Sequence, residues 1–569
     1  MIKSKLLIIC SIISFVVLSC EQQKQKAVTN TNTRPNIILI MSDDMGYSDI
    51  GCYGGTINTP TLDKLAKNGL RYTQFYNTAR CCPTRASLLT GVYQHQAGIG
   101  HMVNTSGKDI YNGNLSKNAV TIAEVLKQVG YSTYMSGKWH VTPYKGEEKN
   151  PSKENWPMQR GFDKFFGTIH GAGSFYDPNS LSKNNEFIAP PENFYYTDAI
   201  SENAVRFIDN HSGDNPFFLY VPYTAAHWPM HAKPEDIAKY KGKFDNGWDV
   251  LRKKKYEKML QLGLLKPEWK LTDKDNIPDW EDVEEKTWYT SLMEVYAAMV
   301  DNMDQGIGRI MGKLEDKGIK DNTLIFFLQD NGGCAEEFGF RETIGPHHKD
   351  VAPDINRPMA EGELQTEMVP KYTRDGRPVR SGIGLEPGAA DTYLGYGKAW
   401  ASASNTPFRM YKHWVHEGGI ATPLIVHWPA GIEAKNEFRN DPGHLIDIMA
   451  TCIDVADGAY PKTLNANTII PLEGISLAPT FKNKNLEERA IFWEHEGNKA
   501  IRIGKYKLVS KWNKNAEYTW ELYDMNSDRS ETNNLVKTMP DKTKEMEAMW
   551  ISWAKRVGVR SWDTKELIE

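Results

Sequence analysis

Three clusters in this 569-residue chain have residue types and spacings that chemistry could use. Asp43-Asp44 stand together directly after an apolar run, Asn36 to Met41. Adjacent carboxylates repel unless something positive sits between them. Taken alone, the pair also reads as an ordinary capping and turn pair. Asp330-Asn331-Gly332-Gly333 repeats the arrangement after a second apolar run, Leu324 to Leu328. If both runs are strands of one parallel sheet, three carboxylates and an amide carbonyl converge. That hard-oxygen cage suits Ca²⁺ or Mg²⁺ rather than Zn²⁺. The third cluster is Cys81-Cys82-Pro83-Thr84-Arg85, continuing to Leu89-Thr90-Gly91. Pro83 lies near a helix start and Gly91 just past its end. Cys81 therefore stands near a helix N-terminus, a favourable place for an anion. A buried structural cysteine is the alternative. A redox pair is a poor fit, because adjacent cysteines bridge badly.

These residues need elements to hold them. Continuous apolar runs at Asn36–Met41, Tyr131–Met135, Phe217–Val221, Leu324–Leu328 and Leu424–Val426 read as buried parallel strands. Helical stretches alternate with them at Thr121–Gln128, Asp198–Asp209 and Trp288–Lys317, the last stopped by Gly318. The pattern predicts an α/β fold, a large doubly wound, mixed but mainly parallel sheet flanked by helices, with sites at the strands' carboxyl ends. Tyr144–Pro191 and Gly333–Pro407 read as loop-rich insertions, the kind that cover sites or build substrate walls. Gly382–Gly397 lacks the strand–loop–helix context of a dinucleotide site. His347-His348 lacks partner spacing and reads as solvated. From about residue 486 short strands with close turns predict a smaller antiparallel sheet, packed by a terminal helix at Lys542–Val557.

Composition narrows the class. Apolar residues at 40% and charged residues at 25% are ordinary globular values, and the net charge of -4 with no basic block argues against a nucleic-acid partner. Residues 1–19 combine Lys3 and Lys5 with an apolar stretch too short to span a bilayer comfortably, as in a signal peptide. Removing them takes away two lysines and no acid, leaving -6. Val17-Leu18-Ser19-Cys20 resembles a bacterial lipobox, which implies lipid on Cys20 and an exported lipoprotein, periplasmic or anchored to the outer membrane. Polar residues 20–33 form a flexible tether of at most ~45 Å. The expected order is thus signal peptide 1–19, lipidated tether 20–33, catalytic domain 34–485 and C-terminal sheet subdomain 486–569. Membrane contact is expected through the lipid alone. Cys52, Cys82, Cys334 and Cys452 have no partner that sequence identifies.

The Cys81-x-Pro-x-Arg85 core followed by Leu-Thr-Gly closely resembles the signature of formylglycine-dependent (type I) sulfatases. Separated segments agree in order: PNIILIMSDDMGYSDIG from Pro35, GKWH at Gly137–His140, DNGG at Asp330–Gly333 and KHWVHEGG at Lys412–Gly419. The resemblance is arylsulfatase-like, lies within the alkaline phosphatase superfamily and spans about residues 34–557. It implies that a formylglycine-generating maturation enzyme oxidises Cys81 to Cα-formylglycine. One hydroxyl of the aldehyde hydrate then attacks the sulfate ester, and collapse to the aldehyde expels sulfate, splitting one hard step into two easier ones. It also implies that Asp43, Asp44, Asp330 and Asn331, with residue 81, hold Ca²⁺ in preference to Mg²⁺. Arg85 would steady the diol, and Lys138 and Lys412 would bind sulfate oxygens. His140 would be the base and His227 the acid near the leaving group. This set carries net positive charge in a negative chain, as a sulfate monoester pocket requires. His101 and His495 are further substrate-binding candidates, and His231 and His416 supporting ones. The implied substrate is a sulfated small molecule or saccharide. Two rivals remain: a phosphonate or phosphodiester hydrolase of the same superfamily, and a non-catalytic lipoprotein that binds sulfated glycans.

Overall fold

A computed structural model describes residues 34–103, 109–144, 146, 151–340, 347–348, 356–514 and 516–568. The signal peptide, lipobox cysteine and tether expected at residues 1–33 lie outside the described residues. Arg34–Glu569 forms one compact unit. In chain order its main sheet uses β1 (Asn36–Ser42), β2 (Leu70–Tyr76), β3 (Ser132–Ser136), β4 (Lys164–Thr168), β5 (Leu181–Lys183), β6 (Glu186–Phe187), β7 (Phe217–Pro222), β8 (Thr323–Gln329), β9 (Ala421–His427), β10 (Glu437–Arg439) and β11 (Gly443–His444). The spatial order is β10-β2-β9-β8-β1-β7-β3-β4-β5-β6, with β11 also beside β2.

The sheet is mixed but mainly parallel, as the runs of branched and aromatic residues predict. Six of its pairings are parallel and four antiparallel. The middle strands β1 and β8 are buried nearly throughout, because helices cover both faces. These include α1 (Cys81–Thr90), α2 (Ile122–Gln128), α3 (Tyr196–Asp209) and α4 (Lys286–Asp316). The apolar stripe of α4 meets α3 and buries Leu292, Val295, Met299, Ile307 and Ile310. At α2 a reciprocal capping box joins Thr121 and Glu124, satisfying two otherwise orphaned N–H groups.

Leu424–Val426 lies in β9, which runs antiparallel to both β2 and β8 rather than parallel, because its chain enters the sheet from the carboxyl edge. Two further readings change. Tyr144–Pro191 is not only a loop-rich insertion, since it supplies β4, β5 and β6 at one edge of the sheet. The interior strand β2 went unpredicted because Arg71, Thr73 and Gln74 interrupt its apolar run, yet each is buried and hydrogen-bonded. The C-terminal strands β12 (Ile491–His495), β13 (Asn498–Ile503), β14 (Tyr506–Ser510) and β15 (Trp520–Asp524) form an antiparallel meander. Helix α5 (Pro540–Val557) packs on it, with Trp553 stacked on Phe492 at 5.1 Å and Trp550 Nε1 donating to Trp493 O at 3.0 Å. No disulfide joins the described cysteines. No helix among the described residues is long and apolar enough to cross a membrane.

Candidate active site

Sheet register brings the acidic clusters together. In the β1–β8 pair Ser42 faces Gln329, so Asp43-Asp44 and Asp330-Asn331 leave adjacent strand ends side by side. The Asp44 N–H donates to Asp330 Oδ1 at 3.2 Å, and Asn331 Nδ2 donates to Asp44 Oδ1 at 2.7 Å. All four side chains are fully buried. The same sheet edge receives the other segments. β2 leads into Cys81, β3 into Lys138 and His140, and β7 into His227. Antiparallel β9 begins there, immediately after Lys412–Gly419.

Cys81 is the first residue of α1, and Gly91 closes that helix in the left-handed conformation its missing Cβ permits. Thr84 ties the helix to β8, donating from Oγ1 to Asp330 O at 2.6 Å. One turn along, Arg85 Nη2 lies 2.8 Å from Asp330 Oδ2 and 3.4 Å from Asp43 Oδ2, while Nη1 donates to Lys138 O at 3.0 Å. Lys138 Nζ pairs with Asp43. Lys412 Nζ lies 2.8 Å from Asp44 Oδ2 and 3.4 Å from His227 Nε2. His227 is 3.3 Å from Asp44 through Nε2, and its Nδ1 lies 2.7 Å from Trp228 O, which assigns the Nδ1–H tautomer. His140 has φ 55° and packs against Gly171, where a Cβ would sit 2.1 Å from the imidazole. Its Nδ1 has no hydrogen-bond partner.

The electrostatics follow from burying so many charges together. Burial and the neighbouring Asp330 push Asp43 up, against Lys138 and Arg85. At Asp44 burial acts in the same sense, but the positive charge of Lys412 beside it outweighs it and holds the carboxylate below its ordinary value. A hydrogen bond with Cys82 pulls the Cys81 thiol well down, and against the cost of burial Lys138 and His140 add to that pull. Burial lowers His140 to about 3 and His227 to about 4, so both imidazoles are neutral near pH 7. Burial opposes the Lys412 charge, but Asp44 more than compensates, and its pKa stands well above normal.

Cys81, His140, His227 and Lys412 line one cleft of about 210 Å³, with Arg80, His170, Trp228, Glu336 and Met368 among its other walls. A larger groove of about 660 Å³ lies among residues 438–442 and 483–489, and none of these groups lines it. Sequence reasoning missed Glu336, which accepts from Trp228 Nε1 at 2.6 Å and pairs with Arg80 at 3.2 Å. It also missed His170. Glu336 follows closely on DNGG, the one available signal, whereas His170 sits in no motif. The histidine expectations part company with the cleft. His101 and His495 are not among its lining residues and belong to a neighbouring cluster with His413 and Glu496. His231 bonds to Thr392 O at 2.7 Å, and His416 to Glu521 at 3.2 Å.

Residues 35–459 match the sulfatase family. The chain belongs to that family. As a sulfatase it is a sulfuric ester hydrolase of the alkaline phosphatase superfamily. Residues 408–552 also match the family described as N-sulphoglucosamine sulphohydrolase, C-terminal. An uncharacterised sulfatase of Schizosaccharomyces pombe is 32% identical over 565 residues, covering 92% of this chain and 94% of that one. The arylsulfatase of Klebsiella aerogenes is 30% identical over 474 residues, covering 80% and 94%. Among solved structures, one bound to its substrate D-glucosamine-2-N,6-O-disulfate shares the fold at a TM-score of 0.61 and 22% identity, covering 94% of this chain and 100% of that one.

Proposed function

We propose that this sulfatase hydrolyses aryl or saccharide sulfate monoesters to an alcohol and inorganic sulfate, using Ca²⁺ and a formylglycine made from Cys81. The observation that carries the reading is the convergence of three aspartates, one asparagine, Arg85, Lys138 and Lys412 as one buried, interlocked charge cluster at the sheet edge that also holds Cys81.

The residues present fit a calcium ion. Asp43, Asp44, Asp330 and Asn331 offer only hard oxygen donors, and Asp43 Oδ1 and Asn331 Oδ1 are buried without hydrogen-bond partners. These four would hold it, and the ion would supply positive charge that lets sulfate approach carboxylates. Formylglycine would supply a hydrated-aldehyde hydroxyl as nucleophile. The chain's own groups do the rest. Lys138 and Lys412 bind sulfate oxygens. Arg85, anchored on Asp43 and Asp330, holds the residue 81 oxygen in place. His140, neutral and with Nδ1 free, accepts the remaining diol proton. His227 stands on the leaving-group side as the candidate acid, with the charged Lys412 3.4 Å from its Nε2. Apolar Met102, Val103 and Trp228 in the cleft suit the face of a sugar or aryl ring.

Peptide mass spectrometry of protein produced with its maturation enzyme tests the nucleophile: an active enzyme whose residue 81 keeps the full thiol mass ends this reading. Matched aryl sulfate and phosphodiester substrates separate a sulfatase from a phosphodiester hydrolase, with faster sulfate release expected. Sulfated sugar bound without release would favour the non-catalytic glycan binder. We also propose the exported lipoprotein form, for which loss of acyl labelling in Cys20→Ala is the expected result.

A further inference from the structure

Beside the sulfate cleft, the described residues bring together a second set of metal-ligating side chains. His413, His495 and Glu496 each present a ligand atom within 4.8 Å of the others. Glu496 Oε2 lies 2.7 Å from His413 Nδ1. Its Oε1 lies 2.5 Å from His101 Nε2 and 3.8 Å from His495 Nε2. The His101 and His495 rings stack with centroids 5.9 Å apart at 16°. One carboxylate thus faces three imidazoles drawn from three chain segments: the stretch after α1, the loop before β9 and the β12–β13 turn.

His495 is the independent sign that something belongs here. Its side chain is fully buried, and neither ring nitrogen has a hydrogen-bond partner. Buried imidazoles normally bond through at least one nitrogen, and leaving both unsatisfied is costly. Both flanking ligands are also held in the left-handed region, His413 at φ 90° and Glu496 at φ 49°. Non-glycine residues stay there only where the surroundings fix them.

We propose that His413, His495 and Glu496, with His101 as fourth donor, form a site for a borderline divalent transition ion of the Zn²⁺ class. Three imidazole nitrogens and one carboxylate oxygen match the ligands that zinc takes in four-coordinate sites. The all-oxygen donors of Asp43, Asp44, Asp330 and Asn331 select the opposite kind of cation, so two sites near one cleft would sort two metals by donor type. On binding, His101 and His413 shift the proton they direct at Glu496 to the opposite ring nitrogen, and the freed lone pairs and the carboxylate take the ion. Partial exposure of the side chains of His413 (25%), His101 (22%) and Glu496 (18%) gives it a way in. The ion would pin the β12–β13 turn to the loop that carries Lys412. This reading is independent of the chemistry at Cys81.

Metal content, rather than turnover, tests it. Full-length protein is stripped with a chelator, saturated with excess Ca²⁺ to fill the oxygen donors, dialysed against limiting Zn²⁺ and analysed by mass spectrometry. One equivalent of zinc is expected in the parent protein and in Cys81→Ala, which removes the separate cluster of Cys81, Cys82 and His140. At least tenfold weaker uptake is expected in Glu496→Gln and in His413→Ala. His413 is partly exposed, so its variant decides the matter even if His495→Ala fails to fold. Absence of zinc uptake with calcium present, or uptake unchanged in Glu496→Gln, overturns the proposal. Co²⁺ substitution adds a spectroscopic arm, with the intense visible bands of a four-coordinate ion expected in the parent and lost in both variants.

Discussion

Arg85 is wholly buried and answers to two carboxylates at once. A guanidinium suits that place because its fork reaches both acids while its charge persists at any working pH. Removing it strands Asp43 and Asp330 in the interior, which is costly where a buried pair loses one partner. Arg85→Ala is therefore expected to lose about 3–5 kcal/mol of stability by denaturant titration and about 10²–10³-fold in kcat. Cys81→Ala makes the sharper contrast. The side chain shrinks without stranding a charge, so melting should change little while turnover disappears, measured as released sulfate. Turnover at the parent rate in Cys81→Ala would refute the assignment of the nucleophile. His140 allows a third test through its neighbour. Any Cβ at position 171 meets the imidazole at 2.1 Å, so Gly171→Ala should lower kcat much more than it raises KM. Equal kinetics in Gly171→Ala would show that the His140 ring can move freely.

At the scale of elements, buried strands, long helices and their stops were readable because one hydrophobic period governs each. The long helix shifts by only two residues at its start and one at its end. β2 was not readable, since its inward polar groups are satisfied by distant segments such as Asn436, Arg439 and Asn440. The edge strands β4–β6 were missed for a related reason: short pieces with a turn between them carry too little periodicity. In the cleft, motif residues were legible and wall residues were not. Lys412 stood in a recognisable run, whereas His170 and Glu336 become neighbours of Cys81 only through the fold. At α2, Thr121→Ala removes one half of the capping box and should cost ~1 kcal/mol by denaturant titration. An unchanged midpoint would mean that packing alone sets this helix start.

A buried charge network ties the C-terminal sheet to the segment that leads into β9. Glu417, just before β9, accepts from Lys507 on β14 at 2.9 Å and from Arg529 at 2.9 Å, and Lys507 also pairs with Glu531 at 2.7 Å. All are buried. Burial opposes the Glu417 charge, yet Lys507, Arg529 and Arg502 outweigh it and bring the pKa to about 2 from an ordinary 4.5. A carboxylate depressed on folding stabilises the protein above its unfolded pKa, and that contribution fades as pH falls from about 4.5 to about 2. Glu417→Gln should thus be less stable by about 3–5 kcal/mol at pH 7, with the gap to the parent protein narrowing below pH 4.5. A pH-independent gap would locate its stabilisation elsewhere. The depth of Cys81 has a consequence for the order of events in the life of the molecule. Only 2% of that residue is exposed, on a helix locked to β8 and beneath loops that converge from strands early and late in the chain. The cleft of about 210 Å³ admits a small ester to residue 81 but leaves little room for another protein's active site to close around it. If residue 81 is converted as proposed, conversion before folding is the expected order, and exposure of the already folded protein to the maturation enzyme should restore activity only after unfolding.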